Sequence, residues 1–366
     1  MKHKFPYKWT LKDTRFTKDK GKVFSCFACG GGSTMGYKLA GFDVIGFNEI
    51  DPRMNKVYVA NHHPKHNYLM DIRDMVKLAK AHELPEELYQ LDILDGSPPC
   101  STFSMAGNRE SDWGKKKKFR EGQAEQVLDT LFFDFIALAK MLQPKIVIAE
   151  NVKGLLVGEA FSYVKRIYAE FNKAGYEVIH CLVNGSEMGV PQKRERCFFL
   201  AVRKDLMQYI PRHKTLFEEI PLIDLTFNET PITWGEVWER GNFQRPLTDF
   251  KRQMWELRKY GDIDLSACCG RAGRNPNSNF NCNFLYKDKV PNTCTANDMC
   301  ILFDEPRTRS DSEIISCSTF PTDYNFLGEK VIYVCGMSVP PVMMAQIASR
   351  VYDQWLKSII TNLTNN

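Results

Sequence analysis

Two side chains that can do chemistry follow apolar runs in this sequence: the thiol of Cys100 and the carboxyl group of Glu150. Pro98 and Pro99 stand directly before the cysteine and keep that backbone extended, which would present the thiol on a rigid arm. A thiolate is a strong nucleophile, and a nearby carboxyl group can act as an acid. A lone cysteine after a turn is more often buried and inert, so the surrounding elements must decide between the two interpretations.

The runs before these two residues are typical of buried strands. Leu91 to Asp95 precedes the proline arm, and Ile146 to Ala149 precedes Glu150. Short apolar runs of this kind occur in parallel α/β sheets, whose chemistry lies beyond the carboxyl ends of the strands. We therefore expect Cys100 and Glu150 at the same edge of one sheet.

A βαβ pattern near the start of the chain predicts the first part of that sheet. Val23 to Phe27 and Asp43 to Phe47 are predicted strands, and a small-residue turn, Ala28 to Ser33, lies between them. Glu49 follows at the distance where dinucleotide-binding folds place an acid that binds ribose hydroxyls. The turn does not match G-x-G-x-x-G, so a cofactor site and a turn that only requires positive φ are equally supported at this point.

Basic residues cluster at two further places. Arg194 and Arg196 stand just before an apolar run, Cys197 to Val202, where arginines require carboxylate or phosphate partners. A lysine run lies within about twenty residues of Cys100, where it would either meet phosphates on a closing loop or form a solvated face. Its members are Lys115, Lys116, Lys117 and Lys118.

The alternation of strands and helices stops at about Lys204. Residues 204–290 are rich in Arg, Asn, Pro and aromatic residues, which predicts a small loop-rich domain, and Arg271 and Arg274 have the donors to contact base edges. An amphipathic helix is predicted after Pro341. We therefore predict a lead-in over 1–20, an α/β domain over 21–203, a second domain over 204–290, and a segment over 291–366 that returns to the α/β domain.

The composition limits the class of protein. The chain has 366 residues, of which 43% are hydrophobic and 25% charged, and a net charge of +5 permits a nucleic-acid partner without arguing for one. The N-terminus has no apolar segment long enough for a signal peptide or membrane span, so a cytoplasmic location without membrane association is expected. The twelve cysteines lack zinc-site spacing, so free thiols and no metal site are predicted.

Taken in order, these strings resemble those of the DNA (cytosine-5)-methyltransferase family. The resemblance covers residues 23–203 and 290–356 and implies a Rossmann-like, doubly wound mixed sheet with a smaller loop-rich target-recognition domain. The matching strings are Phe27 to Gly32, Asn48-Glu49, Pro98 to Cys100, Glu150 to Val152, Gln192 to Arg196, Arg309 to Pro321 and Gly336 to Pro341.

The resemblance implies covalent catalysis on cytosine. Cys100 would add to carbon 6 of the ring and make carbon 5 nucleophilic, while Glu150 would donate to ring nitrogen 3. Arg196, together with Arg194, would orient Glu150 and hold the base carbonyl. The methyl group would come from S-adenosylmethionine, leaving S-adenosylhomocysteine. Because a stacked base is inaccessible, the cytosine would have to be flipped out of the duplex.

Cofactor and DNA contacts are also implied by the resemblance. The cofactor pocket would comprise Phe27, Gly30, Gly32, Glu49, Ile50, Asp71, Ile72, Pro99, Leu131 and Ser338. DNA would be contacted by Ser104, the lysine run, Gln192, Arg271 and Arg274. The implied partner of a monomeric enzyme is double-stranded DNA, in the nucleoid if the source is a bacterium or phage. A cognate restriction endonuclease would act in the same system without direct contact.

Three positions depart from the family strings. Ser25 stands where the family usually has aspartate, Cys29 where it usually has glycine, and Met337 where it usually has asparagine. All three belong to strings around the cofactor, so the departures concern cofactor affinity and leave the catalytic strings intact.

Three other functions are weighed against this one. A transfer-RNA cytosine-5 methyltransferase shares the Pro-Pro-Cys string, but a long 204–290 region favours a reader of duplex DNA. An inactive DNA-binding relative would not need Cys100, Glu150 and Arg196. A Rossmann oxidoreductase would leave the Pro-Pro-Cys and Glu-Asn-Val strings unexplained.

Overall fold

The structure is a computed structural model that describes residues 3–99, 130–157, 161–215, 219–241, 244–275, 279–297 and 299–365. The chain forms two compact units. The first, called the sheet unit, comprises Arg15–Val183, Glu195–Thr226 and Met344–Asn366, and the second comprises Met1–Thr14, Asn184–Arg194 and Phe227–Met343. Residues 291–343 thus belong to the second unit. The assignment of target recognition to residues 204–290 stays a prediction.

The described residues of the sheet unit form a seven-stranded sheet in the order β3-β2-β1-β4-β5-β7-β6. The strands from β3 to β5 are parallel, and β7 runs antiparallel to β5. The strands are β1 (Lys22–Cys26), β2 (Asp43–Glu49), β3 (His66–Leu69), β4 (Ile93–Gly96), β5 (Ile146–Val152), β6 (Tyr176–Asn184) and β7 (Glu195–Arg203).

Helices cover this sheet because its central strands are apolar on both faces. Leu94 of β4 and Val147 of β5 are fully buried in a core shared with Phe132 and Phe135 of a covering helix. Five α-helices described between the strands of the sheet unit are α1 (Gly32–Ala40), α2 (Pro52–His62), α3 (Ile72–Lys80), α4 (Leu131–Leu142) and α5 (Phe161–Lys173). This mixed, doubly wound sheet confirms the predicted fold class.

The second unit contains short elements around small cores. Its helices are α6 (Trp234–Val237), α7 (Asp249–Glu256), α8 (Leu265–Arg271), α9 (Asp311–Cys317) and α10 (Val331–Met337). Two-residue strands pair at Phe284–Leu285 and Ile301–Leu302. Cys268, Cys269 and Cys282 are buried in one of the cores, and the described cysteines carry no disulfide. In this part of the chain cysteine therefore acts as a small apolar residue.

The C-terminal helices begin where the Pro340-Pro341 signal predicts. α11 (Pro341–Val351) continues through a π-helical turn, Tyr352–Leu356, into α12 (Lys357–Thr364). Among the described residues, the stretch Val331–Thr364 is long and apolar enough to cross a membrane by length and composition. Its most apolar window is 89% buried inside the structure, which is typical of core helices.

Strand order places the site. From β1 the chain adds β2 and β3 on one side of the sheet, and it then crosses back to add β4 and β5 on the other side. The topological switch point therefore lies between β1 and β4, which are neighbours in the sheet. In open α/β sheets the crevice at such a switch point binds ligands. The glycine-rich turn, Phe27 to Ser33, leaves β1 at this point, and the proline arm, Ser97 to Pro99, leaves β4 beside it.

Candidate active site

The proline arm is held at two points before it reaches Cys100. A Cβ added to Gly96, the last residue of β4, would lie 2.5 Å from the Phe135 ring, so only glycine lets the arm pass this helix. Farther along, Asn151 Nδ2 donates a hydrogen bond to the carbonyl of Pro98 at 3.2 Å. The end of β5 therefore positions the arm that follows β4. Cys100 itself lies outside the described residues.

Glu150 and Arg196 form an ion pair at the end of β5. In the antiparallel register Glu150 lies opposite Phe198, so Arg196, two residues away on β7, is on the same face. The guanidinium Nε lies 2.9 Å from the Glu150 Oε1, and the carboxyl residue is 8% exposed. Burial lowers the pKa of Arg196, while the charge of Glu150 raises it. Arg196 thus contacts the Glu150 carboxylate, and its role in orienting that group for catalysis stays a prediction.

Arg194 makes its contacts in the second unit. Its guanidinium is buried and donates to the backbone carbonyls of Cys294, Gly336 and Ser338 at 2.8, 3.0 and 2.9 Å. These bonds fasten segments of the second unit. The two terminal nitrogens of Arg194 thus bond to main-chain oxygens, and a role of Arg194 in orienting Glu150 stays a prediction.

Gln192 is likewise committed to the backbone. Its Nε2 donates to the Cys317 carbonyl at 2.7 Å, and its Oε1 accepts from the Cys294 N–H at 2.9 Å. The residue is 0% exposed. Both polar atoms of the amide thus bond to the main chain, and the contact between Gln192 and the DNA backbone stays a prediction.

The glycine-rich turn after β1 contains residues in the left-handed region. Phe27, Cys29 and Gly31 have φ of 53°, 46° and 76°. A Cβ at Gly31 would lie 2.3 Å from His62 Nε2, so this position also requires glycine for space. Gly31 was not among the predicted cofactor residues, although Gly30 and Gly32 on either side of it were.

Glu49 fastens the turn to the end of β2. Its Oε2 accepts a hydrogen bond from the Cys29 N–H at 2.7 Å, and its Oε1 accepts from the N–H groups of Ile50 and Asp51 at 2.8 and 2.9 Å. Burial raises the pKa of Glu49, and these backbone donors lower it. A buried carboxylate with acceptor capacity at the switch point suits a hydroxyl-bearing ligand.

Four of the other predicted cofactor residues lie in the sheet unit, and one lies in the second unit. Asp71 is the N-cap of α3, where its side chain accepts a hydrogen bond from the Arg73 N–H at 2.8 Å, and Ile72 begins that helix. The segment between β3 and α3 is held by Asn48, whose side-chain amide donates to the Met70 carbonyl at 2.8 Å. Leu131 begins α4, and Pro99 lies half-buried on the arm. Ser338 belongs to the second unit, where its hydroxyl donates to the Val334 carbonyl at 2.8 Å.

Sequence reasoning missed Asp95, which lies on β4 opposite Ser25 of β1. Ser25 Oγ donates to Asp95 Oδ2 at 2.8 Å, and both residues are 1% exposed. A carboxylate is thus present at this level of the sheet although Ser25 has none. Only the strand register reveals this, because the two residues are seventy positions apart.

The predicted DNA-contacting arginines differ in their surroundings. Arg271 forms an ion pair with Asp262 and its Nε donates to the Leu257 carbonyl at 2.9 Å. Arg274 is exposed, with its guanidinium 5.2 Å from the Phe250 ring centroid. Ser104 and the lysine run lie outside the described residues. Across the part of the chain that the structure describes, no three His, Cys, Asp or Glu side chains form a metal-binding group.

Comparisons with known proteins identify the family of this chain. The fold is that of a Rossmann-like methyltransferase, and the family model of C-5 cytosine-specific DNA methylases matches residues 21–353. The chain therefore belongs to the C-5 cytosine-specific DNA methylase family.

Individual relatives are similar to this chain at identities between 19% and 37%. The Type II methyltransferase M.FnuDI of Fusobacterium nucleatum is 37% identical over 185 residues, 50% of this chain and 48% of that protein. The chain thus spans about half the length of this curated relative. The Type II methyltransferase M1.HphI of Haemophilus parahaemolyticus is 27% identical over 89% of this chain and 85% of its own. A solved structure of a proposed DNA modification methyltransferase from an E. coli prophage has a TM-score of 0.62 at 19% identity, covering 91% of this chain and 99% of its own.

Proposed function

We propose that this protein transfers a methyl group from S-adenosylmethionine to carbon 5 of cytosine within a specific sequence of duplex DNA. The observation that carries the proposal is the Glu150–Arg196 pair, which stands at the end of β5 beside the arm leading to Cys100. Family membership over residues 21–353 gives this geometry its chemical meaning.

In the proposed mechanism the Cys100 thiolate forms a bond to carbon 6 of a flipped-out cytosine. Glu150 hydrogen-bonds to or protonates ring nitrogen 3, which accepts the electron pair displaced by the thiolate, and carbon 5 becomes nucleophilic. Arg196 holds the Glu150 carboxyl group in place through its Nε contact. After carbon 5 has been methylated it loses its proton to a base, and the carbon–sulfur bond breaks to release the thiolate.

The residues around the turn suit the proposed cofactor. S-adenosylmethionine, when bound, would supply an electrophilic methyl group. Glu49 would accept hydrogen bonds from ribose hydroxyls, and Asp71 and Ile72 would lie beside the adenine. Glu49 ends β2, and Asp71 and Ile72 follow β3, so all three lie at the carboxyl edge of the parallel strands, where such sheets bind ligands. The turn with its left-handed residues would offer backbone N–H groups to the cofactor.

Duplex DNA is the proposed partner, contacted by a monomer in the cytoplasm. The Type II relatives support a restriction-linked role, in which a separate endonuclease cuts the same unmethylated sequence. No contact with that endonuclease is proposed. Exposed Arg274 and the lysine run are the proposed phosphate and base contacts.

The test is a methyl-transfer assay with labelled S-adenosylmethionine on duplex DNA and on transfer RNA in parallel, followed by base-resolution mapping of 5-methylcytosine. Label is expected in one DNA sequence, and label confined to RNA would overturn the proposed substrate. Cys100→Ala is expected to abolish transfer while binding the cofactor as the wild type does. Full turnover by that variant would remove the nucleophile assignment.

A further inference from the structure

A buried carboxylate beneath the glycine-rich turn has no role in the chemistry described above. Asp95 Oδ2 accepts a hydrogen bond from Ser25 Oγ at 2.8 Å, and Oδ1 accepts one from the Tyr37 hydroxyl at 3.2 Å. The side chain of Ser33 also bonds to it. Ser25 precedes the turn, Ser33 is its last residue, and Tyr37 follows it on α1. One carboxylate therefore fastens both ends of the turn to β4.

We propose that Asp95 is a positioning residue of the methyl-donor site, whose carboxylate holds the turn and favours a donor that carries positive charge. This inference rests on the proposed function, since it concerns the same site. S-adenosylmethionine carries a sulfonium charge that S-adenosylhomocysteine lacks. A carboxylate that is 1% exposed acts through a medium of low dielectric constant, where its attraction for a cation is strong.

The charge of Asp95 changes near neutral pH. Burial raises its pKa to about 7, against the lowering effect of the hydrogen bonds from Ser25, Tyr37 and Ser33, and the negative charge of Glu150 adds to the rise. A bound cation favours the carboxylate, so binding of the donor expels the proton that Asp95 holds below this pH.

The neighbouring titratable groups do not account for such a proton. Cys26 on β1, Tyr37 on α1 and Tyr58 on α2 face Asp95, and burial raises the pKa of each side chain, which keeps them neutral between pH 6 and 8. Glu150 on β5 is ion-paired with Arg196. Affinity for the cationic donor is therefore expected to rise with pH through about 7, and affinity for the uncharged product to change less.

The experiment is isothermal titration calorimetry of the full chain with S-adenosylmethionine and with S-adenosylhomocysteine between pH 6 and 8. Two buffers of different ionisation enthalpy give the number of protons released. On binding the donor, the wild type is expected to release more protons than Asp95→Asn does. Protons from the donor's own amino group are released with both proteins, so they cancel when the two are compared. Asp95→Asn should also lose about tenfold in donor affinity at pH 8, equivalent to one pKa unit, and much less in product affinity.

Asp92→Asn is the matched control. Asp92 precedes the same strand at its opposite end, where it accepts from the Lys22 N–H at 2.7 Å and pairs with Lys145 at 2.7 Å. This variant should lose stability but keep the wild-type proton release. If Asp95→Asn fails to fold, Ser25→Ala provides the test, because loss of its hydrogen bond to the carboxylate should move the pH dependence of donor binding upward.

The two proposals fail in different ways. A wild type that binds neither compound contradicts the proposed function. A wild type that binds both, with the same proton release and the same ratio of affinities in Asp95→Asn, shows that Asp95 only supports the fold. For Ser25→Ala the contradicting result is an unshifted pH dependence.

Discussion

Arg196 and Glu150 define the chemistry of the site at the scale of single residues. Their side chains are 15% and 11% exposed, and the contact lies at the end of a fully buried part of β5. Removing one partner of a buried pair leaves the other charge unsolvated, which typically costs about 3 to 5 kcal/mol. A substitution that tests catalysis must therefore preserve the shape of the pair.

Glu150→Gln meets this condition. The amide keeps an oxygen for Arg196 but has no acidic proton for ring nitrogen 3, so the rate of methyl transfer is expected to fall by about 10² to 10⁴-fold. Single-turnover assays at saturating cofactor measure this rate directly. Glu195→Gln is the matched control, because that carboxylate pairs with Lys153 at 2.9 Å on the surface, where both side chains are more than 40% exposed. Equal rates for Glu150→Gln and the wild type would remove Glu150 as the acid.

At the scale of elements, the turn after β1 stores strain in a residue that departs from the family. Cys29 adopts a φ of 46°, a conformation in which a side chain costs about 1 to 2 kcal/mol. Glycine has no such cost but loses more chain entropy on folding, so Cys29→Gly is expected to stabilise the protein by roughly 0.5 to 1 kcal/mol. Urea unfolding measures this difference.

Gly31→Ala is the opposite change in the same turn. It combines a φ of 76° with a Cβ position 2.3 Å from His62 Nε2, so it is expected to destabilise the protein by more than Cys29→Gly stabilises it. A destabilised Cys29→Gly variant would mean that the cysteine side chain makes contacts worth more than the backbone strain.

The elements themselves were largely predictable from the sequence. The apolar runs before Asp95 and Glu150 became β4 and β5, and the helix after Pro340 begins at Pro341. Periodicity and strand-end chemistry are local properties, so one sequence reveals them. The partners of Gln192 and Arg194 lie about a hundred residues or more away along the chain, and no local pattern shows that these side chains are buried. The contact between Asp95 and Ser25 is not predictable for the same reason, since it depends on the register of β1 and β4.

At the scale of the whole molecule, the net charge of +5 says little about DNA binding until the charges are located. Arg271 is paired with Asp262, whereas Arg274 lies exposed over the Phe250 ring. Arg274 is therefore the better candidate for a DNA contact. Arg271→Ala would first break an ion pair that joins α8 to the loop before it.

The lysine run allows the sharpest test of how the whole molecule holds DNA. If Lys115 to Lys118 contact four phosphates, replacing them by alanine should weaken binding to all duplex sequences and flatten the plot of log K against log salt by up to about 3.6, because each phosphate contact contributes about 0.9. The matched control removes the same charge from four exposed helical lysines, namely Lys77, Lys80, Lys140 and Lys173. Fluorescence anisotropy across a salt series measures both slopes. Equal slopes in the two variants would identify the run as a solvated face, because a general loss of charge affects both alike and direct phosphate contacts affect only one.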